Sequence, residues 1–262
     1  MTAGPVAAEH QVAARPVGGR KLRAIVGQSR IELLLTIRRG ESLLVTLVIP
    51  LGILVFFSSV DAVNTSYKDP VDFLVPGVLA LAVMSSAMVS LGIATGYERR
   101  YGVLKRLGST PLSRAGLLTA KTLNVLGLEL LQAIAIILTG IALGWDPTGG
   151  LPAAVLLLLV GTVAFAGIGM LLAGTLRAEA NLAVANGLFL VLLFLGGMAY
   201  PLAKLPDALQ TFSKALPAAA LSETVRAVLT PGRSFPTGEL IVLLVWAIGA
   251  PLAAAHWFRW EE

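Results

Sequence analysis

Between Leu151 and Leu176 the chain reads LPAAVLLLLVGTVAFAGIGMLLAGTL, 26 residues without a charge. A helix rises about 1.5 Å per residue, so this run extends for about 39 Å, past the roughly 30 Å of a bilayer's hydrocarbon core. Its apolar residues are continuous rather than alternating, which fits a helix and not a strand of a membrane barrel. Five further runs share this character, at about 43–60, 73–96, 122–144, 182–200 and 240–258. Six spans of about 20 residues use about 120 residues. The composition agrees: 56% of the 262 residues are hydrophobic and 13% are charged. A soluble domain carries about 25% charge, and half of that cannot cover a water-soluble surface. The expected fold is an all-α polytopic membrane protein with six transmembrane helices. Disorder, a coiled coil and a collagen-like fibre are excluded. With no cysteine, so are a disulfide scaffold and a thiolate metal site. His10 and His256 sit in opposite tails, so no metal centre is expected.

The net charge of +5 resolves into a topology signal once the spans are drawn. Fifteen of the 20 basic residues fall on one side, thirteen of them in the segment before the first span and the loop after the second. The positive-inside rule then puts both termini in the cytoplasm, and the basic excess predicts no nucleic-acid partner. Residues 1–20 mix Pro, Gly and Ala without an apolar core, so they read as a disordered cytoplasmic tail rather than a signal peptide. Residues 21–41 place Leu22, Ile25, Val26, Ser29, Leu33 and Ile37 on one helical face, with Arg23, Arg30, Arg38 and Arg39 mostly off it. That pattern predicts an amphipathic interfacial helix, acting as a membrane anchor or as a contact for other protein. Residues 42–262 then form the six-helix domain.

The loop after the second span runs Tyr97-Glu98-Arg99-Arg100-Tyr101-Gly102-Val103-Leu104-Lys105-Arg106-Leu107-Gly108-Ser109-Thr110-Pro111-Leu112-Ser113. Leu104 and Leu107 lie one helical turn apart, Gly102 lets the chain turn, and Pro111 disfavours helix at Thr110. A short amphipathic helix flanked by charge suits a partner's groove, while a merely solvated basic loop is the plainer alternative.

Glu-Arg-Arg, Gly, Leu-Lys-Arg-Leu and Thr-Pro-Leu in this loop resemble the coupling loop of ABC-2 type transporter permeases, closest to the drug- and antibiotic-efflux, daunorubicin-resistance-like branch. Gly102-Val103-Leu104-Lys105 departs from the Gly-Thr-Leu-Glu of many members. The resemblance implies a coupling helix that inserts into a separate ATPase subunit. Glu98, Arg99, Arg100, Gly102, Leu104, Lys105, Leu107, Thr110 and Pro111 would belong to it, the charged triad setting register and the leucines filling the groove. It also implies two ATPase copies and a second permease chain, identical or related. No Gly-x-x-x-x-Gly-Lys-Ser/Thr phosphate loop occurs, so this chain is expected to be no enzyme and to bind no cofactor. ATP and Mg would belong to the partner.

Polar residues interrupt two other places. Asn124, Glu129 and Gln132 lie in the third span, and Glu129 and Gln132 share a face. An ionisable residue at that depth faces protein or water, so Glu129 lines a substrate path where it meets a cationic group, bonds a neighbouring helix, or is a carboxyl kept neutral by burial. Gly92 with Gly96, Gly140 with Gly144, and Gly169 with Ala173 have the spacing of close helix packing. Between spans five and six, Pro201, Pro206, Pro217, Pro231 and Pro236 bound two short amphipathic pieces. One presents Leu209, Phe212 and Leu216. The other pairs Glu223 with Arg226. Such pieces are re-entrant or interfacial. By resemblance, Pro201, Pro206, Phe212, Pro217, Glu223 and Arg226 would cap the path on the outside.

The expected function is the transmembrane subunit of an ATP-driven exporter of amphipathic, drug-like or lipid-like molecules from the cytoplasm or inner leaflet. The alternatives are a non-transporting structural or assembly membrane protein, or an ion-coupled carrier using Glu129. A carrier normally shows internal repeats or broken helices, and neither is evident here.

Overall fold

The apolar runs fold as helices. The computed structural model describes residues 40–59, 69–103, 114–147, 149–230 and 232–259, with side chains absent from the description at 40–46 and 114–120. The elements are α1 (Gly40–Ser59), α2 (Pro70–Arg100), α3 (Arg114–Ala142), α4 (Leu151–Thr175), α5 (Ala178–Leu195), α6 (Asp207–Lys214), α7 (Pro217–Leu229) and α8 (Thr237–Trp257). A 3-10 turn at Leu202–Lys204 leads into α6. Every regular element among the described residues is helical. Residues 1–39, which hold the expected tail and most of the interfacial helix, lie outside the described residues. So do Leu104, Lys105, Leu107, Thr110 and Pro111 of the loop.

Five helices are long and apolar enough to cross a membrane: α2, α3 from Lys121, α4, α5 and α8. The first expected span is α1, 20 residues long, whose apolar part within the described side chains is Leu47–Ser59. Burial separates a centre from a rim. The apolar window of α2 is 83% buried inside the protein, against 17% for α8. Leu130 and Leu138 of α3, and Ile248 and Leu252 of α8, stand exposed. A continuous apolar surface of this kind belongs against lipid.

The central helix α2 starts on Pro70, where the missing N–H costs nothing. It is α-helical over Pro70–Val83, turns π-helical over Met84–Ser90, and resumes as α-helix over Leu91–Arg100. Glycines set how closely its neighbours approach. A side chain on Gly169 of α4 would meet the Met88 carbonyl oxygen at 2.6 Å, and one on Gly92 would meet Gly169 at 3.0 Å. Gly167 of α4 takes the ring of Pro251 from α8 in the same way. Gly140 packs on Val75, as the small-residue spacing predicts. Gly144 instead has φ +97° with nothing near it, so it turns the chain after α3 rather than packing a helix.

The proline-bounded pieces fold as α6 and α7, and they differ. α6 keeps Leu209 and Phe212 exposed, as an interfacial helix would. α7 was expected to be amphipathic, but it is buried on nearly every side and packs against α2, α4 and α8. Its run Ala218-Ala219-Ala220 is small enough to enter the crevice between three helices, so the piece is re-entrant rather than superficial.

Candidate functional site along the central helix

Polar side chains gather on α2 at three levels: its arginine-rich C-terminal end, its π-helical middle and its N-terminal end beside α7.

At the arginine-rich end the three charges of Glu98-Arg99-Arg100 turn three ways, because consecutive helical residues point about 100° apart. Arg99 is buried. It donates to the Leu176 carbonyl that follows α4 and, at 3.5 Å, to the Arg259 carbonyl that follows α8. The Arg259 N–H in turn donates to the Gly174 carbonyl at 3.1 Å. One guanidinium therefore satisfies carbonyls at two helix ends, where intrahelical partners run out. Glu98 forms an ion pair with buried Lys121 of α3 at 2.5 Å. Arg100 pairs with Glu179 in the first turn of α5, and both are well exposed. Gly102 has φ +66°, the left-handed conformation expected of a residue that ends the helix. All four of α3, α4, α5 and α8 are thus tied to the point where α2 leaves for residues 104–113.

In the middle, Glu129 and Gln132 project from α3 to different partners. The Thr162 hydroxyl of α4 donates to Glu129 Oε2 at 2.6 Å. The Ser86 hydroxyl, in the π-helical turn of α2, donates to Gln132 Oε1 at 2.7 Å. The shared face predicted for Glu129 and Gln132 is therefore a seam to α2 and α4. Asn124, one turn nearer the arginine-rich end, keeps a buried Oδ1 without a hydrogen-bond partner. Asn181 of α5, fully buried, donates to the Gly92 carbonyl at 2.9 Å.

At the third level lies Arg226 of α7, fully buried. It pairs with Glu223, donates to the Gly197 carbonyl at 2.7 Å and the Phe73 carbonyl at 3.4 Å, and stacks over the Phe73 ring at 3.9 Å. Glu223 also holds Arg233 at 2.5 Å. The pairing of Glu223 with Arg226 was predicted from their spacing, whereas Arg226's burial was not. Beside this network a mouth-like cavity of about 680 Å³ opens, lined by Pro201 and Glu223 together with Asp72, Lys214, Arg233 and Glu239. Pro206 caps α6 and buried Pro217 starts α7, while Phe212 faces outward, so these three frame the segment without lining the cavity.

Residues 27–230 match the profile of the ABC-2 type transporter family. This chain belongs to the ABC-2 type transporter family. It is also 26% identical over 229 residues to a Bacillus subtilis (strain 168) protein described as "Putative transport permease YvfS", covering 83% of this chain and 89% of that one. As an ABC-2 family member the chain is a multi-pass transport permease, a non-enzymatic subunit of a kind that works with an ATPase subunit.

Within this permease, the residues that sequence reasoning overlooked are Thr162, Asn181 and Lys121 as partners. Each closes a contact between two different helices. A lone Thr or Asn in an apolar run carries no sign of which neighbour it meets. Lys121 adds to the basic excess between the second and third spans, yet its apolar stem and buried ammonium belong to the α2–α3 contact.

Proposed function

We propose that this permease is the membrane half of an ATP-driven exporter, with the arginine-rich end in the cytoplasm and residues 104–113 docking in the ATPase. The observation that carries this reading is the course of α2. It is a single helix from the Glu98-Arg99-Arg100 end to Phe73, buried through the centre of the protein. A displacement of the docked loop therefore enters a rigid rod. Arg99 and the Glu98–Lys121 pair make α3, α4 and α8 move with that rod at one end. At the other end Phe73 meets Arg226, so the rod reaches the re-entrant helix that would cap the path. Two permease chains, identical or related, would enclose the path, and two ATPases would drive it. Amphipathic drug-like or lipid-like molecules are the cargo this branch of the family suggests. The family match and the transport-permease relative favour this reading over a structural membrane protein.

Leu107→Asp tests the docking. The variant is expected to lose co-purification with a co-expressed partner ATPase and to abolish transport-stimulated ATP hydrolysis, with the permease itself still folded. Undiminished co-purification and hydrolysis would overturn the assignment of the loop.

A further inference from the structure

A cleft of about 280 Å³ opens between α2, α3 and α4 at the level of Glu129. Its walls are Leu79, Ala82 and Val83 of α2, with Ala133 of α3 and Leu158 of α4, and among the described residues Glu129 is its one ionisable lining residue. Leu130, Val155 and Leu159 stand exposed at its rim, so it opens toward lipid. Glu129 is 8% exposed. Its Oε2 accepts the Thr162 hydroxyl, while Oε1 is buried with no hydrogen-bond partner among the described residues. A buried carboxyl oxygen left unpaired is costly, and proteins keep such groups inside membranes where a ligand or ion uses them. The terminal torsion of a glutamate is soft, so Oε1 can turn to a donor that arrives through the cleft. Ala82 and Val83 directly precede the π-helical turn Met84–Ser90, and such turns recur at functional sites.

We propose that this cleft is an intramembrane site for small amphipathic amines, with the apolar body between α2, α3 and α4 and the ammonium on Glu129. An ammonium supplies the N–H donor and the charge that a carboxylate oxygen lacks here, and that pairing is stronger than a neutral hydrogen bond. A membrane lipid is a poorer occupant. Glu129 lies eight residues along α3 from Lys121, about 12 Å into the span, deeper than headgroups sit. The volume suits a molecule of one or two rings, at the lower end of ligand pockets. That such amines are cargo rests on the exporter reading; the site itself does not.

The test is binding to the purified full-length permease, without ATPase, in phosphatidylcholine nanodiscs, with empty nanodiscs subtracted. The probes are 1-naphthylmethylamine and its near-isostere 1-naphthylmethanol. Saturable binding of the amine about tenfold tighter than the alcohol is expected, since the alcohol donates a hydrogen bond without charge and only the ammonium makes it charge-assisted. Glu129→Gln is expected to erase that preference, and Ala133→Phe to weaken both probes by filling the cleft. Equal binding of the two probes to the unaltered protein would overturn the site, leaving an unselective apolar groove. So would a preference that survives Glu129→Gln. The comparison of probes on the unaltered protein decides the matter even if a variant fails to fold. Amine-selective binding to a permease whose assembled complex couples ATP hydrolysis to the transport of no molecule would sink the exporter reading and leave the site standing. ATP-driven export by a permease that binds the two probes equally would do the reverse.

Discussion

Arg226 concentrates more interactions than any other charge described here. A guanidinium buried between α7, α2 and the chain after α5 is tolerable because a carboxylate, two carbonyls and a ring face meet it. Removing it leaves Glu223 with Arg233 alone and the Phe73 and Gly197 carbonyls without this donor. Arg226→Ala is expected to cost on the order of 3–5 kcal/mol, the range for breaking a buried pair. Arg226→Lys should recover little, because an ammonium cannot reach all of these acceptors at once. Thermal unfolding in detergent checks both, and a midpoint within a degree of the unaltered protein for Arg226→Ala would refute the role. Arg100 is the contrasting case. Its pair with Glu179 is exposed, and such pairs are worth about 0–1 kcal/mol. Arg100→Ala should therefore leave the unfolding midpoint almost unchanged. Any loss of ATPase stimulation in that variant then reports on coupling and not on folding.

Helices meet here through what glycine omits. The crossing of α2 and α4 depends on Gly92 and Gly169, with a carbonyl oxygen where a side chain would start. Gly169→Val should push the helices apart and cost about 1–3 kcal/mol, as overpacking does. Gly187 of α5 has nothing within 4 Å, so Gly187→Ala should be neutral or slightly stabilising. The same unfolding assay compares the two, and equal effects would mean that the crossing is not close-packed. The spacing of small residues made Gly92 and Gly169 visible as packing candidates in the sequence. It also nominated Gly144, which the fold uses as a turn, because spacing does not reveal where a helix stops. α7 is the element where periodicity misled. Its apolar face was legible, but the burial of the opposite side depends on three helices closing around it, and no local pattern encodes that.

For the whole molecule, the amino-acid sequence by itself determined the class. Long uncharged runs have one stable form in hydrocarbon, since backbone groups must pair within the segment, so the helical membrane class followed from composition and length, with five of the six expected spans long and apolar enough to cross among the described residues. The grouping of basic residues in two segments, and the loop motif after the second span, pointed to the family that residues 27–230 match. Tertiary structure alone decided which helix is central and which polar residues meet. α2 and α8 each hold an equally apolar stretch of spanning length, yet one is the core and the other the rim. Hydropathy measures affinity for a non-aqueous setting, and protein interior and lipid are equally non-aqueous. The choice between them is made by shape, by where glycine permits contact and where Ser86, Thr162, Asn181 and Arg226 find partners 29 or more residues away.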